Sequence, residues 1–220
     1  MSAIVLNNRE LLHIQLRTAF ILDAQGRLAA VNEPGQPAAP RIFVASAGQE
    51  RIMRVRSDIP ELIARAWLAS EDEKTLMAKV AAHSPIQREH RGPAYVLPQL
   101  RPRDNDVVFV REGPGLHPEL VARGWRLTEA DPYVGVVRDD QIVAVCYSSR
   151  DGVEACEAGV ETAATYRAQG LGELAVRTWA AMVQRSGRLA LYSTAWDNVA
   201  SQRIAAKLGA EQYGENWHLT

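Results

Sequence analysis

The residues best suited to chemistry are two glycines that stand two positions apart, directly before a helical pattern. Gly170 and Gly172 belong to the segment 166–172, which reads Y-R-A-Q-G-L-G. Glycine lets the backbone approach a ligand where a side chain would obstruct it. Amides at a helix start have no intrahelical acceptor, and together with the helix dipole they suit a pyrophosphate. The spacing indicates a phosphate-binding loop, although a plain strand-to-helix turn can have the same spacing.

Two carboxylates on the preceding strand pattern offer acid–base chemistry. Glu157 and Glu161 stand four residues apart, so a strand places both on one face, with Gly159 between them leaving room for a substrate. A carboxylate there can take a proton from a substrate, directly or through a water. We expect Glu161 to be the general base and Glu157 to assist or substitute, with a solvated strand face as the alternative.

The elements that must position these residues follow from periodicity and capping signals. A buried hairpin is predicted ahead of the glutamates, and apolar residues at helical spacing predict a helix directly after the loop. Asp197 and Asn198 form a cap for a second, shorter helix that ends at Gly209. The predicted elements are a hairpin over 133–147, strands over 155–162, 189–195 and 211–219, and a helix over 171–185.

A stretch rich in proline and glycine at 87–115 separates this half from an N-terminal part without a chemical motif. Alternation over 13–23 and a return over 27–31 predict a hairpin, and a second strand pair follows. Two helices are then predicted, the second capped by Ser70-x-x-Glu73. We therefore predict an N-terminal α+β unit of unknown role at 1–90 and a second domain at 91–220.

Two segments in order resemble the signatures of the GNAT acyltransferase superfamily. Arg-x-x-Gly-x-Gly, at 167–172, resembles its acyl-CoA pyrophosphate loop. W-D-N-V-A-S at 196–201, followed by Lys207-Leu208-Gly209, resembles its second signature. The resemblance covers about half of the chain, roughly 107–220. It implies an α+β fold with a mixed sheet that is splayed open at two central strands and flanked by helices, and acetyl-CoA as co-substrate.

The resemblance also implies which residues contact acetyl-CoA. The pantetheine arm would follow the strand that ends at Thr162, and main-chain amides would hold the pyrophosphate. The implied binding residues are Val160, Thr162, Arg167, Ala168, Gln169, Gly170, Leu171, Gly172, Asn198 and Ser201.

One departure from the family pattern concerns the general acid. Many members carry a tyrosine seven residues after the asparagine, and here that position is Ala205. Ser201 and Tyr213 are the candidates to protonate the leaving thiolate in its place.

Composition limits the remaining function classes. The chain has 220 residues, 47% of them hydrophobic, and a formal net charge of −1, which is ordinary for a folded soluble protein and argues against nucleic-acid binding. No apolar run approaches the roughly 18 to 20 residues of a membrane helix, and the charged residues of segment 1–17 argue against a signal peptide. Cys146 and Cys156 form no disulfide framework, and the histidines have no metal spacing. We expect a reduced, cytoplasmic protein without a metal; a homodimer is one open oligomeric state.

These observations predict an N-acetyltransferase that moves the acetyl group of acetyl-CoA to an amine of a small molecule or protein by direct attack in a ternary complex. The alternative is a non-catalytic acyl-CoA-binding module that senses or docks. The missing tyrosine favours the module, whereas the paired glutamates and Ser201 favour the enzyme. The sequence carries no motif that identifies the acceptor.

Overall fold

The computed structural model describes residues 6–102, 108–109, 115–126 and 132–220. The first part of the chain mixes helices with short strands: α1 (Asn8–Ala19), β1 (Phe20–Leu22), β2 (Leu28–Val31), β3 (Ile42–Ala47), β4 (Glu50–Val55), α2 (Glu61–Leu68), α3 (Glu73–His83) and β5 (Glu89–Val96). The second part has longer strands: β6 (Val108–Phe109), α4 (Pro118–Ala122), β7 (Tyr133–Arg138), β8 (Gln141–Asp151), β9 (Ala155–Thr162), a 3-10 turn (Ala164–Tyr166), α5 (Leu171–Arg185), β10 (Leu189–Ser193), α6 (Val199–Lys207) and β11 (Glu211–Leu219).

These elements form two compact units. The first comprises residues up to Ala94 together with 194–197 and 213–220, and the second comprises 95–193 and 198–212. The first unit takes in most of β11 because residues Glu215–Leu219 pair antiparallel with β3. A single boundary in the sequence cannot separate these units, because 194–197 and 213–220 belong to the first unit.

In the first unit, β3 pairs antiparallel with both β4 and β11, and the pair β3–β4 was predicted. Helices α2 and α3 cover these strands through a core that includes Trp67, Leu76 and Trp217. The N-cap of α3 is Asp72, whose side chain accepts from the Thr75 amide, so the predicted cap at Ser70 is wrong. Asp72 is the better cap because it stands directly before the helix with an acceptor that reaches its first turn.

The strand predicted from residue 13 is also wrong, because residues 8–19 form α1. Asn7 and Glu10 make a reciprocal capping box at the start of this helix. Leu11, Leu12, Gln15, Leu16 and Ala19 are buried, a helical spacing that the alternation of Ile14, Leu16, Phe20 and Leu22 had concealed. The turn after residue 22 is confirmed, since β1 and β2 form an antiparallel hairpin.

The second unit contains a mixed sheet in the order β10-β9-β8-β7-β6. β9 and β10 run parallel and the other pairs are antiparallel, which confirms the predicted fold class. Helix α5 packs on one face of the sheet, and its Trp179 is fully buried and donates through Nε1 to Ser148 Oγ at 3.1 Å. Cys146 and Cys156 are free thiols, both buried as predicted.

The splay is located where β9 and β10 stop pairing. Leu189, Ala190 and Leu191 pair with Ala155, Cys156 and Glu157. β9 then continues to Thr162 and β10 to Ser193, beyond that register. The strand predictions over 155–162 and 211–219 and the helix prediction over 171–185 are confirmed residue by residue. Among the described residues, no helix combines the length and apolar character that crossing a membrane requires.

Candidate functional site

A cleft of about 590 Å³ lies in the second unit, next to the diverging end of β9. This volume is in the range of small-molecule binding sites. The described residues that line the cleft come from the end of β9, the following loop, the first turn of α5 and one face of α6: Val160, Glu161, Thr162, Tyr166, Arg167, Ala168, Gly170, Leu171, Gly172, Glu173, Asn198, Ala200, Ser201, Arg203, Ile204 and Lys207. The structure thus brings the two predicted sequence signatures to one cavity.

The N-terminus of α5 provides an anion site on this cleft. Gly170 is the N-cap with φ 79°, in the left-handed region that favours glycine, and no side chain caps the helix there. A Cβ built on Gly170 would meet no atom within 4 Å, so this point faces open space. The amides of the first turn are therefore available to a ligand, and the dipole of a 15-residue helix favours an anion there.

Gly172 has a different role, which is close packing. A Cβ at this position would approach Thr162 Oγ1 to 3.1 Å and Ile204 Cδ1 to 3.2 Å. Glycine allows the start of α5 to lie against the end of β9 and against α6. The first glycine of the pair thus opens the loop to a ligand, and the second holds the walls of the cleft together.

One edge of β9 offers backbone groups to the cleft. The Ala163 amide donates to the Val143 carbonyl at 2.9 Å, on the side of β8. Because backbone groups alternate sides along a strand, those of Glu161 and Gly159 also face β8, and those of Val160 and Thr162 face away from it. Val160 and Thr162 line the cleft, so this edge of β9, which β10 leaves unpaired beyond Glu157, borders it. The Thr162 amide and carbonyl are already bonded to the Glu161 and Arg167 side chains, so of these two residues Val160 is the one whose backbone is open to a ligand.

Glu161 lies at the loop end of the splay, inside a charge network. Its Oε1 accepts from Arg123 Nη1 at 3.1 Å, from Arg167 Nη2 at 3.0 Å and from the Thr162 amide at 3.1 Å. Arg167 also donates through Nε to the Thr162 carbonyl at 3.2 Å. Glu161 therefore holds the arginine of the loop in place. Sequence reasoning missed Arg123, which follows α4 and is brought near by the fold alone.

Glu157 lies at the opposite, narrow end of the splay. It shares a strand face with Glu161 as predicted, but four residues of strand separate the two by about 13 Å. Glu157 is 2% exposed and belongs to the last recorded pair between β9 and β10. Its carboxylate accepts from Arg150 Nη1 at 3.2 Å and from the Ser193 hydroxyl.

The cleft is bordered by cations that the sequence analysis missed. Arg203 and Lys207 line it together with Arg167. Arg203 and Lys207 stand four apart on α6, a spacing that puts both on one helix face and that could have identified them. Two carboxylates also line the cleft. Glu173 pairs with Arg177 at 3.1 Å, and Glu161 pairs with two arginines, so arginines already neutralise both negative charges.

The remaining predicted residues have contrasting positions. Asn198 caps α6, because its side chain accepts from the Ser201 amide at 3.1 Å. Ser201 lines the cleft from the first turn of that helix, and Ala205 is buried in the core behind it. Tyr213 belongs to the first unit, where its buried hydroxyl donates to Gln15 Oε1 at 2.6 Å. Tyr213 is not among the described residues that line the cleft.

Comparisons with known proteins agree with this geometry. Residues 134–216 match the model of the GNAT acetyltransferase family, whereas the chain matches no curated protein. A GNAT-family protein from Novosphingobium aromaticivorans is similar in structure, with 18% identity, a TM-score of 0.51, and coverage of 61% of this chain and 65% of that one. A GCN5-related N-acetyltransferase from Kribbella flavida has 23% identity, a TM-score of 0.46, and coverage of 66% and 62%.

At 18% identity, the similarity to the Novosphingobium aromaticivorans structure concerns the fold alone. The aligned part spans less than two thirds of the length of either one. The family match includes β9, the glycine loop, α5 and α6, which are the elements that build the cleft. The family match thus confirms the resemblance to the GNAT superfamily over residues 134–216.

Proposed function

We propose that the chain is an N-acetyltransferase that moves the acetyl group of acetyl-CoA to an amine of a small molecule or a protein. The observation that carries the proposal is the cleft that joins the open N-terminus of α5 to the free edge of β9. A helix N-terminus suits phosphate, and a free strand edge suits the amide groups of a pantetheine arm.

The lining residues fit each part of acetyl-CoA. The amides of Gly170, Leu171 and Gly172, which line the cleft, would hold the pyrophosphate together with the amide of the adjoining Gln169. Arg167 lies beside them, and Arg203 and Lys207 would attract the remaining phosphate charge. The backbone of Val160 would bond the pantetheine arm, and that of Thr162 would do so only in exchange for its bonds with Glu161 and Arg167. The arm would then run from the loop toward the narrow end of the splay. The thioester would therefore lie near Glu157 rather than near Glu161.

This direction of the pantetheine arm gives Glu157 and Glu161 different roles. We infer that Glu157 is the general base and that Glu161 positions Arg167. In the transfer, the amine nitrogen forms a bond with the acetyl carbon and the carbon–sulfur bond breaks, with its electron pair going to sulfur. The ammonium gives one proton to Glu157 before the attack. The nitrogen loses a second proton as the amide forms, and that proton passes to the sulfur, directly or through water. An amine with a pKa of about 10.4 is almost fully protonated at neutral pH, so the base is needed.

Two measurements on the full chain test the proposal. Calorimetry with acetyl-CoA measures binding, and release of the free CoA thiol in the presence of a panel of primary amines and lysine peptides measures transfer. We expect saturable binding and amine-dependent thiol release, with the acetylated amine identified by mass spectrometry. Absence of binding would contradict the proposal. Tight binding without thiol release would favour the non-catalytic module.

A further inference from the structure

Four charged side chains connect α4 to the glycine loop through a continuous series of hydrogen bonds. Arg123, the C-cap of α4, donates through Nη2 to Glu119 Oε1 at 2.9 Å and through Nη1 to Glu161 Oε1 at 3.1 Å. Arg167 Nη2 donates to the same Glu161 oxygen at 3.0 Å. Glu119 Oε2 also accepts from the Ala164 amide at 2.7 Å. The end of α4 is therefore tied both to the end of β9 and to the turn that follows it.

The two arginines of this network lie on different sides of Glu161. Arg167 lines the cleft, and about half of its side chain is exposed, whereas Arg123 is not among the described residues that line the cleft. Because both guanidinium groups share one carboxylate oxygen, each weakens the attraction between Glu161 and the other. Arg123 thus neutralises Glu161 from outside the cleft and leaves more of the positive charge of Arg167 available to an anion.

We propose that Arg123 increases the affinity of the loop for the pyrophosphate of CoA by neutralising Glu161. The inference rests on the proposed function and adds a residue that precedes the family match at 134–216. Without Arg123, Glu161 would pair with Arg167 alone, and its negative charge would oppose the phosphate that Arg167 attracts. Arg123 is a positioning residue, since it acts through Glu161. Glu119 orients it by holding the other amino group of its guanidinium.

A double-mutant cycle on the full chain tests the inference, with calorimetry of acetyl-CoA binding as the measurement. Arg123→Gln should increase the Kd about tenfold, the effect of one charge acting over about 12 Å at an effective dielectric constant of about 20. In the Glu161→Gln background the same change should alter the Kd by less than about twofold, because no carboxylate is left to neutralise. The tenfold increase should shrink as the salt concentration rises, because salt screens partly exposed charges.

Arg126→Gln is the matched control, because it removes the same charge from the same segment. Arg126 is exposed and donates to the Trp125 carbonyl at 3.1 Å. Its loss should leave the Kd within about twofold of wild type, and so should Arg123→Lys, which retains the charge. Thermal unfolding should show all variants folded. A Kd that Arg123→Gln leaves unchanged, or increases equally in both backgrounds, overturns this inference alone. Wild-type protein that binds no acetyl-CoA overturns the proposed function and this inference together.

Discussion

A negative charge at Gly170 should disrupt binding of acetyl-CoA more than any change of shape there. The Cβ of residue 170 would enter open space in the cleft, so Gly170→Asp adds a carboxylate where the pyrophosphate is proposed to lie. Two unit charges about 5 Å apart repel by about 3 kcal/mol at an effective dielectric constant of about 20. We therefore expect the Kd for acetyl-CoA to increase about a hundredfold.

Two matched variants separate charge from backbone strain. Gly170→Asn has nearly the same shape without the charge, and asparagine tolerates a positive φ better than most residues. Gly187→Asp adds the same charge at another open glycine of the second unit, with φ 81°. Calorimetry should give both controls a Kd within about threefold of wild type, a difference of about 0.7 kcal/mol. Equal affinities for Gly170→Asp and Gly170→Asn would refute the assignment of the pyrophosphate to this loop.

Three further predictions follow from the carboxylates. Glu157→Gln should lower turnover by about 10²- to 10⁴-fold with unchanged CoA affinity, and a turnover equal to wild type would exclude it as the base. Glu161→Gln should weaken CoA binding in calorimetry by no more than about fivefold, because partly exposed ion pairs such as that with Arg167 contribute about 0.2–1 kcal/mol. Arg91 lowers the pKa of Glu73 in the folded state, so this pair stabilises the fold above the ordinary carboxyl pKa and the gain is lost as the pH falls through the lowered value. Denaturant titrations across acid pH should therefore show a smaller loss of stability in Glu73→Gln than in wild type.

The elements around the loop could be predicted because their signals are local. The helix over 171–185 has an apolar stripe and an open glycine at its start, and the strand over 155–162 ends directly before the turn. Residues 8–19 were misinterpreted because Ile14 and Leu16 fit both a strand and a helix. The capping box of Asn7 and Glu10, which both precede the predicted strand, favours the helix.

The candidate site could be predicted only as far as it is contiguous in sequence. The glycine loop and Asn198 were identified, and the cleft contains both. Arg123 could not be found, because it comes near Glu161 through tertiary packing. The sequence also did not indicate at which end β9 and β10 separate. Which of Glu157 and Glu161 lies nearer the narrow end depends on where β9 and β10 stop pairing, which periodicity does not reveal.

Amide hydrogen exchange with and without saturating acetyl-CoA tests the central claim most directly, because that claim concerns main-chain amides. The account predicts slower exchange at Val160 and at 169–172, with β3 and β4 of the first unit serving as an internal reference. Saturating acetyl-CoA that leaves exchange at 169–172 unchanged, or that protects another surface instead, would contradict it.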